Sequence, residues 1–180
     1  DCVVGDIGPG GGTIFYVAPT TFTQTGATGA MCSTECKYLE VARAGWHAAN
    51  NGAEDPQASW SSNTTSSTVQ DRTTASNQSS NAAEKVNWLI GQGFYNTSVM
   101  KVSGATSVER DRILLYSGAS ALNTVGQWFV PSINELNELC KFANHLTTGN
   151  LKSTCVAVSG NLRPGFRTTN SSRYWSSTEH

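Results

Sequence analysis

A chain of 180 residues with 38% apolar content can bury one substantial core, so a single domain over 1–180 is expected. Charged residues make up only 14% and the formal net charge is -1, which excludes a global electrostatic pull toward nucleic acid or anionic membranes. No run reaches the ~18 apolar residues that a membrane-spanning helix requires, so membrane insertion is not expected. Ser, Thr, Asn and Gly take the place of charge, as suits an extracellular β-rich domain with long polar loops. The chain opens on Asp1 without an initiator Met or a charged-then-apolar leader, as a processed or excised segment would.

In chain order, VVGDIGPGGGTIFYV (3–17) predicts two short β segments around a glycine-dense turn, the second rich in β-branched and aromatic residues. A phosphate-cradling loop would need Gly-Lys-Ser/Thr opening a helix, whereas Thr13-Ile14-Phe15 opens a strand. Residues 18–30 read as a polar loop, and Lys37 to Ala42 as another short strand. From Gly45 to Ser80 the pattern is aperiodic and polar, a long loop anchored by Trp46 and Trp60.

Two helices are expected. Asn81 with Glu84 resembles an N-cap box, followed by Ala82, Val86, Leu89 and Ile90 at helical spacing until Gly91 and Gly93 stop the run. Ser132 with Glu135 forms a second capping box, and Ile133, Leu136, Leu139, Ala143 and Leu146 fall on one apolar face. Between them Val108 to Tyr116 fits helix or strand, and periodicity does not decide. Beyond Cys155, residues 156–175 read as loop with short strands. Four Asn-x-Ser/Thr sequons, at Asn63, Asn77, Asn96 and Asn170, are taken as signs of exposure.

Five cysteines stand at 2, 32, 36, 140 and 155. In an oxidising compartment the nearest pairings are Cys32 with Cys36 and Cys140 with Cys155, leaving Cys2 alone. The second closes a loop of about 15 residues, worth on the order of 3 kcal/mol if chain entropy dominates. A Cys-x-x-x-Cys pair with no second close pair and no adjacent His does not match structural zinc spacing, so no metal is expected. His47, His145 and His180 have no Ser, Cys or carboxylate partner at motif spacing, and no carboxylate pair stands out; neither catalysis nor a cofactor is expected.

Taken together, VGDIGPGGGTIFYV, KYLEVA, WFVPSINELNELC and the terminal YWSSTE resemble the domain family named for the C-terminal domain of the Legionella collagen-like adhesin, in order and spacing across residues 3–179. The resemblance implies an α+β fold of C-type-lectin-like architecture: a mixed sheet with two helices and long disulfide-stapled loops, on secreted or surface-attached bacterial proteins. Members of the family continue past YWSSTE into strands that close the sheet. The expectation is a domain lacking those strands, which either follow residue 180 or come from another molecule. Sugar-coordinating Glu-Pro-Asn and Trp-Asn-Asp motifs and Asp-x-Asp-x-Asp-Gly calcium loops are absent. Formylglycine-generating oxidases share the broader fold and work through cysteines, but the cysteines here are spaced as structural ones.

Between Lys141 and Thr178 there is no Asp or Glu, while Lys141, Lys152, Arg163, Arg167 and Arg173 all fall inside. Guanidinium forks bind sulfate and carboxylate bidentately. By the resemblance, the loop before YWSSTE lies on the exposed variable face. Asn161, Arg163, Arg167, Asn170 and Arg173 therefore form the expected ligand-binding face, with Tyr174 and Trp175 stacking on sugar. The expected function is a non-enzymatic, extracellular or cell-surface adhesion domain recognising a glycan, an acidic polysaccharide included, or a surface protein. The alternative is a self-associating structural subunit of an extracellular filament, motivated by the lone Cys2, the missing closing strands and the low-charge, Thr-rich composition.

Overall fold

The computed structural model describes residues 1–47, 86–102, 108–122, 124–146, 161–166, 174 and 176–178. Among these it is a mixed α and β structure: β1 (Thr13–Phe22), β2 (Cys36–Val41), a 3-10 turn (Val86–Trp88), α1 (Gly93–Val102), α2 (Val108–Leu115) and α3 (Ile133–Ala143). The two strands form an antiparallel pair with Thr13 opposite Val41 and Phe22 opposite Cys36, and register shifts interrupt it after Ile14 and after Val17. Strand β1 thus runs five residues further than Val17, into what reads locally as polar loop. Val3 to Ile7 contributes only one bridge, Ile7 to Thr13. No described helix is long and apolar enough to cross a membrane.

The apolar core lies between the sheet and α3, where Phe15 and Leu39 meet Leu139 and Phe142. Each such side chain contributes roughly 1.5–3 kcal/mol by leaving water. Ile133 and Leu146, expected on the same apolar face of α3, are substantially exposed, whereas Asn134, Glu135, Asn137 and Glu138 are buried. The buried surface of α3 therefore mixes polar with apolar side chains, and buried polar groups are tolerated only when hydrogen-bonded.

The glycine-dense turn does cradle an anion, one supplied by the chain itself. Gly10 and Gly12 donate their N–H groups to the Glu40 carboxylate at 3.1 and 3.0 Å. A Cβ at Gly8 would fall 2.2 Å from that carboxylate, and one at Gly12 would meet Val41 O at 2.5 Å and the Trp128 ring at 2.9 Å. Close approach, more than flexibility, requires glycine here.

Glu135 makes the second internal anion site. It accepts from the N–H of Ser132 and of Gly91, both at 2.7 Å, and from the N–H of Gly93. The Ser132 hydroxyl accepts in turn from the Glu135 N–H, which completes the expected capping box, and donates to Leu89 O. This contact explains a correction to the expected first helix. Residues 81–85 lie outside the described set, Val86 to Trp88 form only a 3-10 turn, and Gly91 precedes and Gly93 opens a helix instead of ending one. Gly91 sits at φ +92°, and a Cβ at Gly93 would lie 2.3 Å from Glu135 Oε2. Glycine is needed at both positions so that their N–H groups reach the carboxylate.

Val108 to Leu115, ambiguous in sequence, is helical, which gives three α-helices among the described residues where two are expected. Asn96 is not an exposed sequon: it is 1% accessible, and its amide donates to the Ser177 hydroxyl.

Burial raises the Glu135 carboxyl to about 7 from 4.5, opposed by the N–H donors of Ser132, Gly91 and Gly93. A folded-state value above the unfolded one stabilises the fold at low pH, fully below about 4.5, and the contribution is lost as pH rises through 7. Between pH 5 and 8 the unfolding free energy on this account falls by on the order of 3 kcal/mol. Urea titrations across that range should show this slope in the unaltered chain and its loss in Glu135→Gln; identical slopes would contradict it.

Candidate functional site

A cleft of about 590 Å³ opens between the loop after β2 and the end of α2, lined by Trp46, His47, Asp111, Arg112, Leu115, Tyr116 and Ser117. Trp46 is placed by a turn in which its N–H donates to Arg43 O, with Gly45 at φ +74°. Residues 111, 112, 115 and 116 recur at helical spacing and so share one side of α2 and its C-terminal extension. The helix ends where Gly126 N–H donates to Leu114 O and the chain turns into Tyr116 and Ser117.

Three rings run through the site at inclined angles: Trp46 lies 5.3 Å from Tyr116 at 62°, and Tyr116 lies 5.0 Å from Trp128 at 59°. His47 sits edge-on to Trp46 at 5.6 Å. Such inclined pairs are the favoured arrangement for aromatic quadrupoles. Trp128 is fixed from beneath: its indole N–H donates to Thr124 Oγ1 at 2.9 Å, and that hydroxyl donates to Ser117 O at 2.6 Å. The same tryptophan covers Gly10 and Gly12, while Ala119 N–H donates to Gly10 O. The glycine turn held by Glu40 therefore supports the wall that presents Tyr116.

Charge lies at the rim. Asp111, about half exposed, pairs with the largely buried Arg110 at 2.7 Å. Arg112 lines the cleft, and Arg43 is close enough to act on Tyr116. Burial raises the Tyr116 phenol, with Arg43 pulling the other way, so the hydroxyl remains both donor and acceptor at neutral pH.

Of the residues expected to bind ligand, Asn161 and Arg163 lie together at the C-terminal end of α3. Asn161 Nδ2 donates to Asn144 O at 2.7 Å, the Arg163 N–H to Ala143 O at 2.8 Å, and Arg163 Nε to Phe142 O at 2.8 Å. The guanidinium also lies 4.3 Å from the Phe142 ring centroid. Carbonyls that a helix end leaves unpaired are thus capped by cationic and amide donors, the favourable polarity for that end. Tyr174, 36% exposed, packs against Phe166 at 6.0 Å. Arg167, Asn170, Arg173 and Trp175 lie outside the described residues.

The closing YWSSTE motif meets the Pro131 segment. Ser177 N–H donates to Pro131 O at 2.7 Å, and Ile133 N–H donates to Thr178 Oγ1 at 2.9 Å. Cys32 and Cys36 are disulfide-bonded and Cys2 is free and half-buried. Cys140 is disulfide-bonded, and Cys155, its expected partner, is outside the described residues. Among the described residues no group of three or more His, Cys, Asp or Glu could hold a metal ion.

Comparison of the chain with protein-family models, curated proteins and solved structures found no match.

The sequence reading missed the cleft because Trp46 and Tyr116 are remote in the chain and neither sits in a motif. For Arg163 the geometry yields a direct test. Arg163→Ala should lower the urea unfolding free energy by about 1–2 kcal/mol, for loss of a charged donor to Phe142 O and of the contact with the Phe142 ring, Phe142 O keeping the His145 N–H. Unchanged stability with altered ligand binding would assign the guanidinium to a ligand instead.

Proposed function

We propose that this chain is a non-enzymatic binding domain of C-type-lectin-like architecture, displayed outside the bacterial cell, that recognises a glycan or a surface protein. The observation that carries the reading is the Trp46–Tyr116 cleft, in which inclined aromatic rings are bordered by Asp111 and Arg112 on a wall fixed from behind. Its volume falls within the ~300–1,000 Å³ usual for small-ligand sites. Aromatic surface supplies contact area at low entropic cost, and charged groups fix orientation and speed encounter.

Two further observations support it. The Cys32–Cys36 bond and the bonded Cys140 suit an oxidising compartment. The motifs behind the family resemblance pair with one another: Glu40 of KYLEVA holds the amides of the glycine turn, and Ser177 and Thr178 of YWSSTE join the segment around Pro131. Motifs serving as internal fastenings leave ligand choice to the surfaces between them, here the cleft.

Labelled domain titrated onto a glycan array and onto intact cell surfaces should bind saturably, and the ligand should be recovered with unchanged mass after prolonged incubation. Removal of binding by glycosidase or by protease treatment of the surface identifies the ligand class. No saturable binding to either surface, or a chemically altered ligand, would contradict the proposal.

A further inference from the structure

The Cys32–Cys36 bond closes the end of the connection between the two strands, residues 23–35. Its cysteines differ in surroundings: Cys36 opens β2 opposite Phe22 and is 2% exposed, whereas Cys32 lies in the loop and is only half-buried. A thiolate arriving from solvent therefore meets Cys32. The sheet does not depend on the bond, since Thr13 to Val17 pair with Tyr38 to Val41, and Phe15 and Leu39 pack against α3. The loop is held differently. Gln24 N–H donates to Ser33 O at 2.7 Å, inside the turn that the cross-link shapes. Thr25 N–H donates to Gly91 O at 2.9 Å, and Gln92 Nε2 donates to Thr25 Oγ1 at 2.6 Å. Met31 N–H donates to Gln127 Oε1 at 2.8 Å. The loop thus bridges the approach to α1 and the residue before Trp128.

Each of these bonds replaces one to water and gains little net free energy. Docking of the loop therefore depends on the conformational freedom that the cross-link has already removed. We infer that the Cys32–Cys36 disulfide is a thiol-sensitive clamp, whose reduction by a dithiol releases residues 23–35 from Gly91 and Gln127 while the sheet and α3 stay folded. One thiolate of the dithiol attacks Cys32 Sγ, the Cys32–Cys36 bond breaks, and Cys36 leaves as a thiolate that takes up a proton. The second thiol then displaces Cys32 from the mixed disulfide. Two electrons pass to the protein, both cysteines end as thiols, and the dithiol ends as its own disulfide. The clamp is independent of what the cleft binds.

The test exposes the full chain to dithiothreitol at neutral pH without denaturant. Samples taken over time are alkylated in denaturant and mapped by peptide mass, and amide exchange is followed in parallel. A species with Cys32 and Cys36 alkylated and Cys140 still bonded should accumulate. In it the amides of Gln24, Thr25 and Met31 should exchange about ten- to thirtyfold faster than in the oxidised chain, the order expected for freeing a short cross-linked loop. The amides of Ile14 and Leu136, in the sheet and in α3, should keep their rates. Cys32→Ser combined with Cys36→Ser should reproduce the released loop; the reduced native chain answers the question even where that variant misfolds. Faster exchange at Ile14 and Leu136 along with the loop would overturn the inference, since the bond would then support the whole fold. Unchanged exchange in the loop, or a bond that opens only together with that of Cys140, would overturn it equally.

Discussion

A single buried carboxylate organises the described fold. Glu135 is fully inaccessible and gathers N–H groups from Gly91, Gly93 and Ser132, so the approach to α1 and the start of α3 are held at one point. Each donor is a backbone group that a helix start or tight turn leaves unpaired. Burying the carboxyl without them would cost several kcal/mol; with them it serves as a fixed acceptor at the N-terminal ends of two helices, even though burial holds it at about 7. Thr97 extends the arrangement by donating to Gly93 O and accepting from Val130 N–H. Ser177 and Thr178 then close over Pro131 and Ile133.

Glu40 repeats the device at the other side of the sheet, with carboxylate and amides again supplied by the same chain. Its consequence extends to the cleft. The glycine turn must stay flat against Trp128 and the 118–120 backbone, since Cβ atoms at Gly11 or Gly118 would meet backbone at 2.5 Å. Trp128 in turn orients Tyr116 at the back of the cleft. A wall built on inclined rings needs such support, because displacing one ring displaces its neighbour.

What the sequence made legible was local. The α3 capping box could be read because Ser132 and Glu135 satisfy each other within one turn, and β2 because Tyr38, Leu39 and Val41 favour a strand. The start of α1 could not be read: Gly91 and Gly93 ordinarily stop helices, and their role appears only once Glu135, remote in the chain, is beside them. The buried polar residues of α3, interleaved with Leu139 and Phe142, break the apolar periodicity that sequence would use. The helix-end contacts of Arg163 and Asn161 could not be read either, because sequence shows charge and amide groups but not the carbonyls of 142–144 that they meet. The cleft assembles from the loop after β2 and the end of α2, and only tertiary packing brings those together.

The most direct measurement is native-state hydrogen exchange at the amides of Gly91, Gly93 and Ser132. If Glu135 is the common anchor, all three exchange with one opening free energy, close to that of global unfolding. Exchange of any one of them at a much lower free energy, with the other two still protected, would show that the helix starts are held independently and that Glu135 is not their shared support.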